Sequence, residues 1–321
     1  MKSAKIEVLD GFLFLVLSLF WAGSFPAIKV IVSEVSPYTG VFLRLGLATA
    51  LLTVFYKAMR WPMKVSKAQR LRVWIGGLFL QAFPFLLLFW GEQYVSPGLS
   101  GVLNGTTPMW TLVLGAIFLR KDEPITVIKL LGLVLGISGL VVVFLPSLTV
   151  MGSQFWGVFA VAVMALSYAV GTLINRSVLL RDPGTKLQAC LYQQHLASFV
   201  FIAFVVVGLM LEGSLAPFWE WKCSAAVLSA IGYLALFSNC IAWGIYFRLL
   251  KKWGALRASA VNYLIPALAV GLDFLFYGNV PSATQALGIV MIFGGIVLIQ
   301  SAAIVAAKGA QKKRASVLTA S

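Results

Sequence analysis

Apolar windows separated by short polar turns follow one another along almost the whole chain. We place ten: 11–32, 37–56, 72–91, 97–119, 126–145, 154–174, 189–211, 224–248, 255–277 and 283–305. Each is close to the roughly 20 residues an α-helix needs to cross the hydrocarbon of a bilayer. In lipid every backbone N–H and C=O must find its partner within the protein, so spans of this length are helices. The expected fold is an all-α membrane protein of ten transmembrane helices. Composition agrees, since 60% of the 321 residues are hydrophobic and only 11% are charged, against about half apolar in soluble domains. The first window is longer than the core of a signal peptide and no small-x-small site follows it, so it is expected to be retained as a span.

The net charge of +15 would suit a nucleic-acid partner only if the basic residues shared a folded polar surface. They do not. With the N-terminus in the cytoplasm, every Lys and Arg falls on an inside segment except Lys222 outside and Lys29 and Arg44 within spans. That is the positive-inside pattern, and it puts both termini in the cytoplasm. The bilayer is the expected partner, and nucleic acid is not. The longest turns, near 57–71 and 212–223, are too short for a separate catalytic domain, and 306–321 reads as a polar cytoplasmic tail.

Part of the sequence occurs twice. Around 96–139 and again at 254–295 an apolar helix carries Asn-x-x-x-Pro, a turn follows, and a second apolar helix has two Gly seven residues apart. Asn104 falls beside Asn262, Pro108 beside Pro266, and Gly132 and Gly139 beside Gly288 and Gly295. Such self-similarity marks a chain of two related halves. Five spans per half force the second copy to enter the bilayer upside down. The halves, 11–145 and 154–305, are therefore expected as two inverted five-helix repeats with a site near the midplane, the arrangement of an alternating-access transporter. The sequence carries no phosphate-cradling G-x-x-x-x-G-K-[ST] motif.

Pro108 and Pro266 cannot donate to the carbonyl four residues earlier, which belongs to Asn104 and Asn262. Each helix thus frees an oxygen beside a carboxamide, and neither group is tolerated against lipid. Two readings follow: symmetric contacts on a central cargo, or asparagines that bond neighbouring helices beside proline kinks. Lys29, Arg44 and Asp273 are charges in the outer half of spans 1, 2 and 9. Lys29 or Arg44 could hold a carboxylate and Asp273 an amine or a proton. Alternatively Arg44 and Asp273 form a structural ion pair and Lys29 snorkels to the headgroups. His195, the single histidine, reads as a satisfied interior group rather than a proton relay. Trp21, Trp90, Trp110, Tyr168 and Tyr263 lie deep enough to wall an apolar pocket, although bilayer packing also accounts for them. Trp61, Trp74, Trp219, Trp221 and Trp253 fall near span ends, as interface anchors do. Cys190, Cys223 and Cys240 lack C-x-x-C spacing, and with one His there is no ligand set for a metal. No cofactor is expected.

Taken together, Phe20-Trp21-Ala22-Gly23-Ser24-Phe25, Lys29, Phe42-Leu43-Arg44-Leu45, Asn104 to Pro108, the acidic turn Asp122-Glu123, Gly132 to Gly139 and the copy at 254–299 resemble the drug/metabolite transporter superfamily, specifically bacterial EamA-type permeases. The resemblance covers essentially the whole chain. It implies ten helices in two inverted repeats, multi-pass residence in the cell inner membrane, and a central cavity. It also implies transport of small organic metabolites, often amino-acid efflux, and is compatible with a homodimer. The candidate substrate contacts are Asn104, Asn262, Trp21, Lys29, Arg44, Tyr168, Tyr263 and Asp273. Two departures stand out: the second turn, Gly278-Asn279-Val280-Pro281, has no acidic residue, and Ser167-Tyr168 replaces Phe20-Trp21. Competing readings are uptake, efflux of drugs or cations with Asp273 as partner, an intramembrane enzyme, and a scaffold. The enzyme lacks clustered catalytic groups, so none is expected.

Overall fold

Among the described residues, six helical stretches are long and apolar enough to cross a bilayer: Val8–Val32, Pro37–Ala58, Lys67–Gly91, Phe155–Leu180, Leu187–Leu211 and Ala225–Trp253. Shorter apolar helices accompany them at Thr107–Phe118, Val127–Val142 and Ala286–Ile299. The computed structural model describes all residues except 1, 96, 119–125, 145–154, 182–185, 269–279, 281, 285, 300 and 302–321. Asp273, the Asp122-Glu123 turn, the turn residues Gly278, Asn279 and Pro281, and the tail 306–321 lie outside the described residues. Among the described residues there is no strand.

In chain order the helices are α1 (Lys2–Ala22), α2 (Ser24–Val32), α3 (Pro37–Ala58), α4 (Lys67–Gly77), α5 (Phe83–Gly91), α6 (Pro97–Asn104), α7 (Thr107–Phe118) and α8 (Val127–Phe144). They continue as α9 (Phe155–Arg181), α10 (Leu187–Leu211), α11 (Ala225–Tyr233), α12 (Ala242–Trp253), α13 (Ala255–Ser259), α14 (261–268) and α15 (Ala286–Ile299). Local chemistry sets the ends. Ser36 caps α3 by accepting from the Thr39 N–H, with Pro37 in the first turn, and Ser224 caps α11 by accepting from the Val227 N–H. After α12 the chain turns at Gly254, whose φ of 87° suits glycine. Lys251 and Lys252 in its last turn complement the helix dipole.

The burial pattern inverts that of a soluble protein. Large apolar side chains such as Phe12, Leu15, Phe204 and Leu211 are exposed, whereas Gln81, Gln194, His195, Ser198 and Asn239 are completely buried. This is how polar groups must be placed when lipid surrounds the bundle.

The window 97–119, expected as one span, is two helices. Chain turns at Gly105 and Thr106 separate α6 from α7. Pro108 has no N–H for the Asn104 carbonyl, and the Thr107 hydroxyl donates to that oxygen instead at 2.7 Å. The second copy breaks earlier, at Ala260 between α13 and α14. Elsewhere the edges move by a turn or two: α9 runs on to Arg181, and the third crossing starts at Lys67.

The repeated glycines meet one another. A Cβ on Gly132 would lie 2.8 Å from the Gly295 carbonyl oxygen, and one on Gly139 would lie 2.8 Å from that of Gly288. Helices α8 and α15 therefore cross antiparallel with backbones in contact, as small residues permit in membranes.

Asp10, almost fully buried in α1, accepts from Arg248 Nε at 2.9 Å and Lys252 Nζ at 2.7 Å on α12. It clamps these two helices at the end of the bundle where α1 begins. Asp10→Asn removes the charge from both bonds, and we expect about 1–3 kcal/mol of lost stability, read from thermal unfolding in detergent.

Candidate functional site

The centre of the bundle holds a cavity of about 550 Å³ including its mouth, lined from both halves of the chain. Its wall is largely aromatic and aliphatic: Trp21, Phe25, Phe85, Leu88, Met164, Tyr168, Trp243, Tyr246 and Ile265 all face it. The rings brace each other, with Trp21 edge-on to Trp243 at 5.2 Å and Tyr246 at 5.3 Å from both indoles. The Tyr246 hydroxyl shares a 2.6 Å hydrogen bond with Thr172. Packing of this kind fixes the walls before any ligand arrives.

Two π-helical segments, Leu78–Ala82 between α4 and α5 and Leu234–Ile241 between α11 and α12, bring backbone and polar side chains to the centre. A π turn widens the helix and leaves carbonyls in need of donors. The opposite half supplies them. Trp21 Nε1 donates to the Ser238 carbonyl at 3.2 Å, and the Ser167 hydroxyl donates to the Phe79 carbonyl at 2.9 Å. Thus Ser167, one of the departures between the repeats, serves the π segment of the first half much as Trp21 serves that of the second. At the first helix break, Gly23 leaves room for the Tyr233 side chain, whose hydroxyl donates to the Phe20 carbonyl at 2.9 Å. The Ser24 hydroxyl bonds the Ser238 hydroxyl at 2.8 Å.

Arg44 is the charge in this cavity. Its side chain is buried, lies 3.7 Å above the Phe85 ring, and donates from Nε to Asn239 Oδ1 at 2.7 Å and from Nη2 to Ser238 Oγ at 3.1 Å. Among the described residues no carboxylate pairs with it, and Asp273 lies outside them. Asn239 is held in turn. With Oδ1 accepting from Arg44, its Nδ2 donates to His195 Nε2 at 3.4 Å, so His195 carries its proton on Nδ1 and donates to the Leu191 carbonyl at 2.9 Å. Gln81 stands 3.2 Å from the same Nδ1. Arg44, Asn239 and His195 therefore form one buried polar chain joining α3, α10 and the second π segment, with the Gln81 amide of the first π segment packed beside it. A network of this kind fixes its members' geometry, and so holds Arg44 in the cavity wall.

Five of the eight sequence-derived candidates, Trp21, Arg44, Asn104, Tyr168 and Asn262, line this cavity together. The two asparagines touch, Asn104 Nδ2 donating to Asn262 Oδ1 at 3.3 Å. Lys29 is elsewhere: its ammonium donates to the Glu92 carbonyl at 2.5 Å and the Val95 carbonyl at 3.3 Å, at the end of α5. Tyr263 is also outside, fully buried with its ring against Gly136 of α8. Trp90 and Trp110 do not line the cavity. Sequence reasoning passed over Gln81, Ser238, Asn239, Trp243 and Tyr246. One signal was available: the spacing that separates Asn104 from Asn262 also separates Gln81 from Asn239. Among the described residues no cluster of His, Cys, Asp and Glu could hold a metal ion.

The sequence profile of the EamA-like transporter family matches this chain twice, over residues 11–145 and 155–301. Protein PagO of Salmonella typhimurium is 25% identical over 302 residues, covering 93% of each chain. A probable amino-acid metabolite efflux pump of the same organism is 24% identical over 290 residues, covering 89% of this chain and 93% of its own. A solved crystal structure superposes with a TM-score of 0.72 at 17% identity, covering 92% of this chain and 98% of that one, and so shares the fold.

Proposed function

The chain belongs to the EamA-like transporter family, and from that premise we propose that it is a secondary transporter exporting small carboxylate-bearing metabolites, amino acids foremost, by alternating access. It is a multi-pass membrane protein and not an enzyme. The observation that carries the substrate reading is Arg44, a buried guanidinium facing an aromatic cavity without a carboxylate partner among the described residues. A cargo carboxylate would complete its bonding through a charge-assisted pair, and the rings would take an apolar side chain. Export is favoured by the similarity to a relative named as an amino-acid metabolite efflux pump.

The mechanism rests on inverted symmetry. In this reading ten helices form two five-helix repeats, 11–145 and 154–305, in the inner membrane, with both termini and the tail 306–321 in the cytoplasm. Reciprocal contacts support it: Gly132 meets Gly295 while Gly139 meets Gly288, Asn104 meets Asn262, and each half contains one π segment. Related halves of opposite orientation can exchange conformations, opening the shared cavity first to one side and then to the other.

Counterflow in proteoliposomes tests the function. Liposomes loaded with unlabelled leucine, phenylalanine, threonine or glutamate should take up the matching radiolabelled compound, while those loaded with the corresponding amines should not. Absence of exchange for every compound would overturn the transport reading. Asn104→Leu and Asn262→Leu each remove one polar cavity contact of about 1–1.5 kcal/mol. We expect about tenfold slower exchange with thermal stability preserved; loss of folded protein instead would assign the pair to helix packing.

A further inference from the structure

The end of α5 holds a carboxyl group that the cavity does not use. Glu92 follows directly on Gly91, is completely buried, and neither of its carboxyl oxygens has a hydrogen-bond partner among the described residues. The Ser100 hydroxyl on α6, which faces it, is likewise unpartnered and buried. The charged groups around the carboxyl are Lys29 from α2 and, farther off, Arg44 from α3. At the neighbouring turn α9 presents Gly157, Ala160 and Val161 to Gly91, none of them titratable. Lys29 spends its ammonium on the backbone, donating to the carbonyls of Glu92 and Val95 rather than to the carboxylate. Those carbonyls lie just beyond the negative end of α5, close to which an ionised carboxylate is disfavoured. Burial works in the same direction, raising the Glu92 pKa well above the ordinary carboxyl value, with Lys29, Ser100 and Arg44 opposing it.

We propose that Glu92 is a proton-binding site that couples this transporter to a proton gradient, an inference resting on the transport reading above. With its proton on, the carboxyl is neutral and Lys29 stays on the helix-end carbonyls, as in this structure. When the O–H bond breaks and the proton leaves to water, the carboxylate draws the Lys29 ammonium from those carbonyls and accepts from the Ser100 hydroxyl. The ammonium already fills the cradle of carbonyl oxygens, so the ion that comes and goes is the proton. Both responding helices reach the cavity. Ser100 lies one turn before Asn104 on α6, and Lys29 shares α2 with Ser24 and Phe25.

The test uses the full chain reconstituted in liposomes. Without any cargo, infrared difference spectra of wild type against Glu92→Gln near neutral pH should contain a protonated-carboxyl stretch. Its absence would mean an ionised Glu92 and would overturn the proposal. With the four amino acids of the counterflow panel as probes, an imposed gradient of about one pH unit should support up to about tenfold accumulation in wild type, for one proton per cargo. Glu92→Gln should abolish that accumulation while keeping counterflow within about twofold of wild type. Should Glu92→Gln fail to fold, Ser100→Ala serves instead: losing the hydroxyl that stabilises the carboxylate should move the midpoint of the pH response upward. Counterflow without any gradient response in wild type, or a response that neither variant alters, would overturn the proton site and leave the transport reading standing. No counterflow for any probe would remove the transport reading itself.

Discussion

Arg44→Met should reduce carboxylate transport by about 100-fold or more while the protein still inserts, folds and purifies as wild type does. A charge-assisted hydrogen bond is worth about 1.5–3 kcal/mol, and losing one at the upper end corresponds to about two decades of affinity. Folding is less exposed to this change than transport. Methionine fills similar space over Phe85, and exchanging a buried charge for an apolar side chain is often close to neutral for stability. The bonds lost inside the protein go to the Asn239 amide and the Ser238 hydroxyl, and both neighbours keep other partners in His195 and Ser24. Arg44→Lys should rescue little, because a point ammonium cannot donate to Asn239 and Ser238 while also presenting a planar fork to a carboxylate. The measurement pairs counterflow of leucine and phenylalanine with a melting curve. Unchanged flux in a folded Arg44→Met protein would remove Arg44 from cargo recognition.

Gly139→Val and Gly295→Val should cost the most stability of any single substitutions outside the cavity. A Cβ at Gly295 would lie 2.6 Å from the Gly132 carbonyl oxygen and 2.7 Å from the Gly136 nitrogen, and at Gly139 it would lie 2.8 Å from the Ile292 nitrogen. These neighbours are backbone atoms, which cannot rotate aside. The helices would have to separate along their whole crossing, and overpacking of this kind costs about 1–3 kcal/mol or more. We expect poor yield and early thermal unfolding. Gly208→Val is the control, since no atom lies within 4 Å of a Cβ there. Equal stability of the Gly139 and Gly208 variants would show that α8 and α15 are not packed as described.

Much of the architecture could be read from residue type alone. Apolar windows announce helices because lipid leaves the backbone no alternative, and the glycines that mark the repeat lie where α8 and α15 cross with backbones in contact. The recurrence of Asn-x-x-x-Pro pointed to Asn104 and Asn262, which do meet in the cavity. Other features could not be read. Lys29 and Arg44 look equivalent in a hydropathy profile, yet one serves carbonyls at a helix end and the other faces the cavity. That difference is set by which helix happens to stand opposite. Tyr263 sits beside Asn262 but points toward Gly136, since consecutive residues on a helix face directions about 100° apart. The polar chain from Arg44 through Asn239 to His195 joins residues remote in sequence, and nothing local distinguishes these groups from ordinary helix-packing ones.

The two π segments carry a different kind of information. A π turn accommodates one residue more than an α turn, so the positions of Trp243 and Tyr246 depend on how many residues precede them as well as on what those residues are. Were the stretch from Leu234 to Ile241 plain α-helix with the same number of residues, everything beyond it would be swung by about 100°. Both rings would then leave the cavity, although every cavity residue would still be present. The place of these two rings is thus written in the spacing of the chain as well as in its letters. Two relatives of equal length with the same lining residues, one with this π turn and one without it, should not be expected to carry the same cargo.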